Sequence, residues 1–182
     1  MQPRFTPEKS CLLVIDVQGR LAEMMHQKKQ LFAHVMIMIK AAQLLEIPIH
    51  WFEQYPKGLG DTQPDIKALL SEAKYHEKIT FSACGVGEFV AWIKARDRKQ
   101  FIITGIETHV CVYQTVLDLI ALECIVKVNQ QAVSSRDKSN KELALRNMQR
   151  QGVELTSTEM ILFELMKTAE HHQFKAVSSL LK

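Results

Sequence analysis

A chain of 182 residues, 47% hydrophobic and 24% charged, can bury one full core, and that balance excludes disordered and fibrous architectures. The formal charge is only +3 and the basic residues are spread out, which predicts no nucleic-acid partner; the one dense run, Lys94-Ala-Arg96-Asp-Arg98-Lys99, falls at a predicted helix end, where cations suit the dipole. No stretch reaches the length of a membrane span, no signal-like segment opens the chain, and four cysteines without CxxC spacing predict free thiols in a cytoplasmic protein.

Cys11-Leu-Leu-Val-Ile-Asp16-Val is a short apolar, β-branched run, the pattern of a strand buried on both faces. Leu31, Phe32, Val35, Met38, Ile39, Ala42 and Leu45 recur with a period near 3.6 and predict a helix over about 28–45. Pro48 to Phe52 reads as a second strand, and Gln54-Tyr-Pro-Lys-Gly-Leu-Gly60-Asp as a loop. A short helix near 64–73 and a third extended segment around Tyr75–Ile79 follow. After Gly85-Val-Gly87 a helix carries Phe89, Val90 and Ile93, and Phe101 to Gly105 is a fourth strand. Next come a helix from about His109 to Leu122, a fifth strand at Cys124–Val128, and a helix over Ser135–Arg150 with Ser139 and Glu142 spaced as a capping box. Gly152 ends that helix, Val153–Leu155 is a sixth strand, and helices fill most of 158–181.

Strands alternating with helices predict right-handed crossovers and a parallel sheet covered on both faces. The expected fold is one three-layer, Rossmann-like α/β domain over 1–182, with a six-stranded parallel sheet in the order 3-2-1-4-5-6. In that sequence of strands the order reverses between strands 1 and 4, and ligands bind beyond the carboxyl ends of those strands. Asp16 ends the first, and Cys111 follows the fourth.

Cys111 near a helix start is expected to gain thiolate character from the positive dipole end, with backbone N–H groups near a developing oxyanion. A carboxylate such as Asp16 can accept the thiol proton and return it to a leaving group. A cation such as Lys78 can stabilise thiolate and carboxylate alike. Taken singly, each residue has a plainer reading: Cys111 as packing, Asp16 as a cap, Lys78 as a solvated lysine.

Read together, three stretches carry a resemblance: Leu13-Val-Ile-Asp16-Val-Gln18, His76-Glu-Lys78-Ile-Thr-Phe81-Ser82, and Ile103-Thr-Gly105-Ile-Glu107-Thr-His-Val-Cys111-Val-Tyr-Gln-Thr115. In order and spacing they resemble the isochorismatase-like cysteine hydrolases. Glu53-Gln-Tyr-Pro-Lys-Gly-Leu-Gly60, Ser134-Ser-Arg136 and His172-Gln-Phe-Lys175 look closest to the isochorismatase domain-containing subgroup. The resemblance implies a catalytic triad of Asp16, Lys78 and Cys111. It also implies a cis peptide at Ile106–Glu107 that turns N–H groups near Thr108 and Cys111 toward the oxyanion. Gln18, Phe81, Glu107, His109 and Tyr113 are the candidate pocket residues, with His109 equally a helix cap. Cys84 reads as packing or pocket lining.

The nicotinamidase branch of that family holds zinc through an aspartate and histidines after the second strand. Here the stretch reads His50-Trp-Phe-Glu-Gln54-Tyr, without an Asp-x-His pattern, so no metal and no cofactor is expected, and His50 is read as a strand residue. The resemblance implies a cysteine-dependent hydrolase that cleaves a small amide, or a related carbonyl or nitrile compound, through a thioester. The alternative is a non-catalytic or thiol-redox protein on the same fold. Apolar helices, and the rings common in the family, point to a homo-oligomer.

Overall fold

A computed structural model describes residues 3–182. Its six strands, β1 (Ser10–Ile15), β2 (Ile49–Gln54), β3 (Lys74–Lys78), β4 (Gln100–Ile106), β5 (Ile125–Ser134) and β6 (Glu154–Thr156), form one sheet, all parallel, in the order β3-β2-β1-β4-β5-β6. This is the expected three-layer α/β arrangement. The helices are α1 (Gly19–Glu23), α2 (Lys28–Leu44), α3 (Pro56–Leu59), α4 (Pro64–Lys67), α5 (Gly87–Ala95), α6 (Tyr113–Ala121), α7 (Lys138–Arg150), α8 (Thr158–Met166) and α9 (Phe174–Ser179). None is long and apolar enough to cross a membrane.

The alternation along β1 explains why its run is continuously apolar. Leu12 and Val14 point into a core built with α2, α8 and α9, while Cys11, Leu13 and Ile15 point into a second core with α5, α6 and α7. All six residues are buried, so periodicity of two is invisible in hydrophobicity. Gly105 fits between β1 and β4 because it has no side chain: at φ +120° a Cβ would stand 2.1 Å from the Ile15 carbonyl oxygen.

Several elements differ from the sequence expectation. The 54–61 loop contains the single turn α3, and the 64–73 helix is α4 followed by a 3₁₀ turn at Ala68–Leu70. β5 runs on to Ser134, where the fifth strand was expected to end at Val128. Along β4 the register advances two residues, from Ile103 to Gly105, while β5 advances five, from Val128 to Val133, so residues 129–132 bulge out of the ladder. Polar Asn129-Gln-Gln131 hid this continuation. The Ser139–Glu142 capping box is also corrected. Asp137 caps α7, its Oδ1 accepting the Ser139 N–H at 2.8 Å, because the helix starts at Lys138 and so places Ser139 inside its first turn.

Candidate active site

Three chain segments deliver charge to the carboxyl edge of the sheet. Asp16 follows β1 and is buried in the left-handed region at φ 52°, which breaks the strand and turns its carboxylate across the sheet end. Lys78 is the last residue of β3, two strands away, and its ammonium lies 2.6 Å from Asp16 Oδ2. It also donates to Gln54 Oε1 at 2.8 Å and to the Phe81 carbonyl at 3.0 Å. With its three protons so committed, Lys78 is a fixed cation.

Cys111 lies in a π-helical turn, Thr108–Val112, inserted between β4 and α6, not two residues inside a regular helix. Its thiol lies close enough to Asp16 and Lys78 for each to act on it electrostatically, so the structure brings all three residues together. Asp16 Oδ1 is buried and makes no full hydrogen bond of its own. The electrostatics reverse one expectation. Burial, and then the Asp16 carboxylate, push the Cys111 thiol up to about 12, outweighing Lys78 and any dipole effect, with only 7% of the residue exposed. Burial likewise holds Asp16 above the usual carboxylate range, against the pull of Lys78. The resting site is therefore a protonated thiol beside a carboxylate that binds protons more readily than usual.

The Ile106–Glu107 peptide is cis and leads into the turn, where the Glu107 carbonyl accepts from the N–H groups of Val110 and Val112. The Glu107 carboxylate is buried and spent on the backbone N–H and Nε of Arg136, at 2.9 and 3.1 Å. Thr108 is buried, with a hydroxyl that has no hydrogen-bond partner among the described residues. His109 is half-buried and its Nδ1 meets Ser135 Oγ at 2.9 Å; Tyr113 is half-buried at the start of α6. Phe81 is 53% exposed on the rim. Gln18 differs most from its expected place. Its side-chain N–H groups are both spent on the Gln54 and Gly60 carbonyls and its Oε1 accepts the Gln54 N–H, so it clamps the 54–60 loop and has no donor left for a ligand.

Two supporting residues went unrecognised in the sequence. Thr115 is buried, donates to the Cys111 carbonyl at 2.7 Å and accepts the Ala83 N–H at 2.9 Å, tying the cysteine turn to the segment after Lys78. Its position four residues after Cys111 in a helix was the available signal. Glu53 is a third buried carboxylate; it accepts from Thr62 N–H and hydroxyl at 2.7 and 2.8 Å and from Tyr75 OH at 3.0 Å. His50 is buried in β2, its Nδ1 2.8 Å from His76 Nε2. Among the described residues no three His, Cys, Asp or Glu side chains are grouped to hold a metal ion.

The isochorismatase domain model matches residues 10–160. The chain belongs to the isochorismatase family. It is 35% identical to isochorismatase domain-containing protein 2B of Mus musculus, over 98% of this chain and 84% of that one. The structure of the MAR1 ribonuclease from Caenorhabditis elegans superposes with a TM-score of 0.94 at 34% identity, over 98% and 92% of the two chains. The YcaC gene product of Escherichia coli, described as an octameric hydrolase of unknown specificity, shares the fold with a TM-score of 0.92 at 22% identity, over 100% and 91%. The isochorismatase-like hydrolase fold is thus common to all of them.

Proposed function

We propose that this isochorismatase-family chain is a cysteine-dependent hydrolase of small amides or related carbonyl and nitrile compounds. The observation that carries the reading is the convergence of one thiol, one carboxylate and one saturated ammonium at a buried sheet edge. As an amide approaches, the Cys111 proton passes to Asp16, the sulfur–carbon bond forms, and N–H groups of the turn after the cis peptide face the developing oxyanion. Asp16 then gives that proton to the leaving nitrogen as the carbon–nitrogen bond breaks, leaving a thioester. Water attacks the thioester, losing a proton to Asp16, and the carbon–sulfur bond breaks; the proton returns to sulfur. Lys78 holds constant positive charge beside the carboxylate throughout. Phe81, His109 and Tyr113 border the space a substrate would occupy.

The high proton affinity of the buried thiol favours this reading over an oxidant sensor, which needs an accessible thiolate. Self-association belongs to the same proposal, since Tyr55, Leu59, Ile79 and Phe81 expose apolar surface beside the site. The test is ammonia release across an amide panel, with intact-mass trapping of an acyl adduct. Cys111→Ala should abolish both while leaving the circular dichroism unchanged. Undiminished release in that variant, or cleavage of an RNA oligonucleotide with no activity on any amide or nitrile, overturns the proposal.

A further inference from the structure

Gln54 closes β2 and stands opposite Lys78 in the β2–β3 register, so the two side chains leave the sheet edge on the same face. All four of its polar groups are engaged. The backbone N–H donates to Gln18 Oε1 at 2.7 Å, and the backbone carbonyl accepts from Gln18 Nε2 at 2.9 Å. In the side chain, Oε1 accepts from the Lys78 ammonium at 2.8 Å while Nε2 donates to the Ile79 carbonyl at 2.6 Å. These partners admit one orientation of the amide: turned over, it would set an NH2 against the ammonium and an oxygen against a carbonyl. Gln54 is a bracket, fixed at both ends.

We propose that Gln54 is the positioning residue for Lys78, aiming its ammonium at Asp16 and, by being neutral, leaving its positive charge to that one carboxylate. The proposal rests on the hydrolase reading, in which Asp16 carries the proton.

The Lys78 side chain is fully buried, so each of its three protons needs an acceptor. Gln54 Oε1 and the Phe81 carbonyl take two, and the third meets Asp16 Oδ2 at 2.6 Å. An apolar residue at position 54 would leave an ammonium proton unpaired. A glutamate there would accept from the ammonium, but it has no proton for the Ile79 carbonyl and would compete with Asp16 for the charge. That competition matters because of what already faces Asp16. Lys78, from β3, favours its ionised form, the Cys111 thiol in the turn does the same, and Glu53, from β2, opposes it. A second carboxylate on Lys78 would act in the same sense as Glu53. Gln18 completes the device, since its clamp on the 54–60 loop is also what holds the Gln54 backbone in place.

Carbon-13 NMR of the full chain with labelled aspartate carboxyls tests this without turnover, the Asp16 signal being the one lost in Asp16→Asn. In Gln54→Glu that carboxyl should titrate about one pH unit higher than in the wild type, because Lys78 is shared with a second anion. The acid limb of kcat should move with it, about a tenfold loss on that limb which base restores. Gln54→Met, neutral but without an acceptor, should leave the titration near the wild-type pH and lower kcat about tenfold at every pH, with KM unchanged. It serves if the glutamate variant fails to fold. A titration that moves while no amide or nitrile is cleaved by any form sinks the hydrolase reading and leaves the positioning of Lys78 in place. An unmoved Asp16 titration in a folded Gln54→Glu, a loss of kcat in it that is equal at every pH, or full kcat in Gln54→Met overturns the proposal.

Discussion

Lys78 and Lys127 are both buried lysines on strands of the same sheet, and their surroundings differ in one respect. Lys127, near the start of β5, meets two carboxylates, Glu154 at 2.9 Å and Glu164 at 2.6 Å, and lies 5.0 Å from the centre of the Phe5 ring. Lys78, at the end of β3, meets one carboxylate and completes its shell with neutral oxygens. Around Lys127 negative charge exceeds positive and every group holds the chain together: Glu164 also accepts the Phe5 N–H. Around Lys78 one oxygen of the paired carboxylate is left without a full hydrogen bond, next to a thiol. A buried ion pair with a spare acceptor has chemical capacity; one with all its groups spent has only structural value.

The sharpest way to break this comparison is to remove each cation. Lys78→Met and Lys127→Met should each cost about 3–5 kcal/mol, because each strands a carboxylate. Measured per folded molecule, kcat should fall by about 100-fold or more for Lys78→Met and stay near wild type for Lys127→Met. Equal loss in both would remove the distinction. A smaller effect is expected from Thr115→Val, which cuts the tie between Ala83 and the Cys111 turn: about 1–2 kcal/mol in urea unfolding, with kcat down about tenfold.

The pH profile sharpens the same contrast. Asp16 must be ionised to take the thiol proton, and its pKa is raised, so activity should fade on acidification at a pH above the range where an ordinary aspartate protonates. Glu53 contributes to that rise, so Glu53→Gln should move the acid limb to lower pH. The smallest effect concerns stability alone. Burial, with His76 alongside, holds His50 at about 4 against 6.5 when unperturbed. The unfolded chain therefore takes up a proton that the folded one refuses, and stability present above about 6.5 is lost as pH falls toward 4. His50→Asn should flatten the Tm-versus-pH curve in that window.

Strand order was legible in the alternation of elements, and the placing of positions 16 and 111 in the strand ends, which hydrophobic runs mark clearly. The grouping of Lys78 with them rested on the family resemblance of the three stretches. Features set by tertiary context were not legible. Gln18 looks like any polar residue after a strand until the loop it clamps is in place. The thiol's proton affinity depends on burial and on a carboxylate distant in sequence, and both outweigh the local helix end that the sequence displays. The long β5 was hidden because its bulge exposes glutamines where an uninterrupted strand would be apolar. Asp137 and Ser139 both suit a helix cap, and only the end of β5 decides between them.

The backbone at Asp16 has a practical consequence for anyone making variants there. Its φ of 52° belongs to a region that asparagine enters easily and alanine resists. Asp16→Asn therefore removes the charge while keeping the main chain comfortable, whereas Asp16→Ala mixes a chemical deletion with a conformational penalty. An inactive alanine variant would implicate the residue without saying which of its two duties, shaping the strand exit or carrying the proton, had been lost.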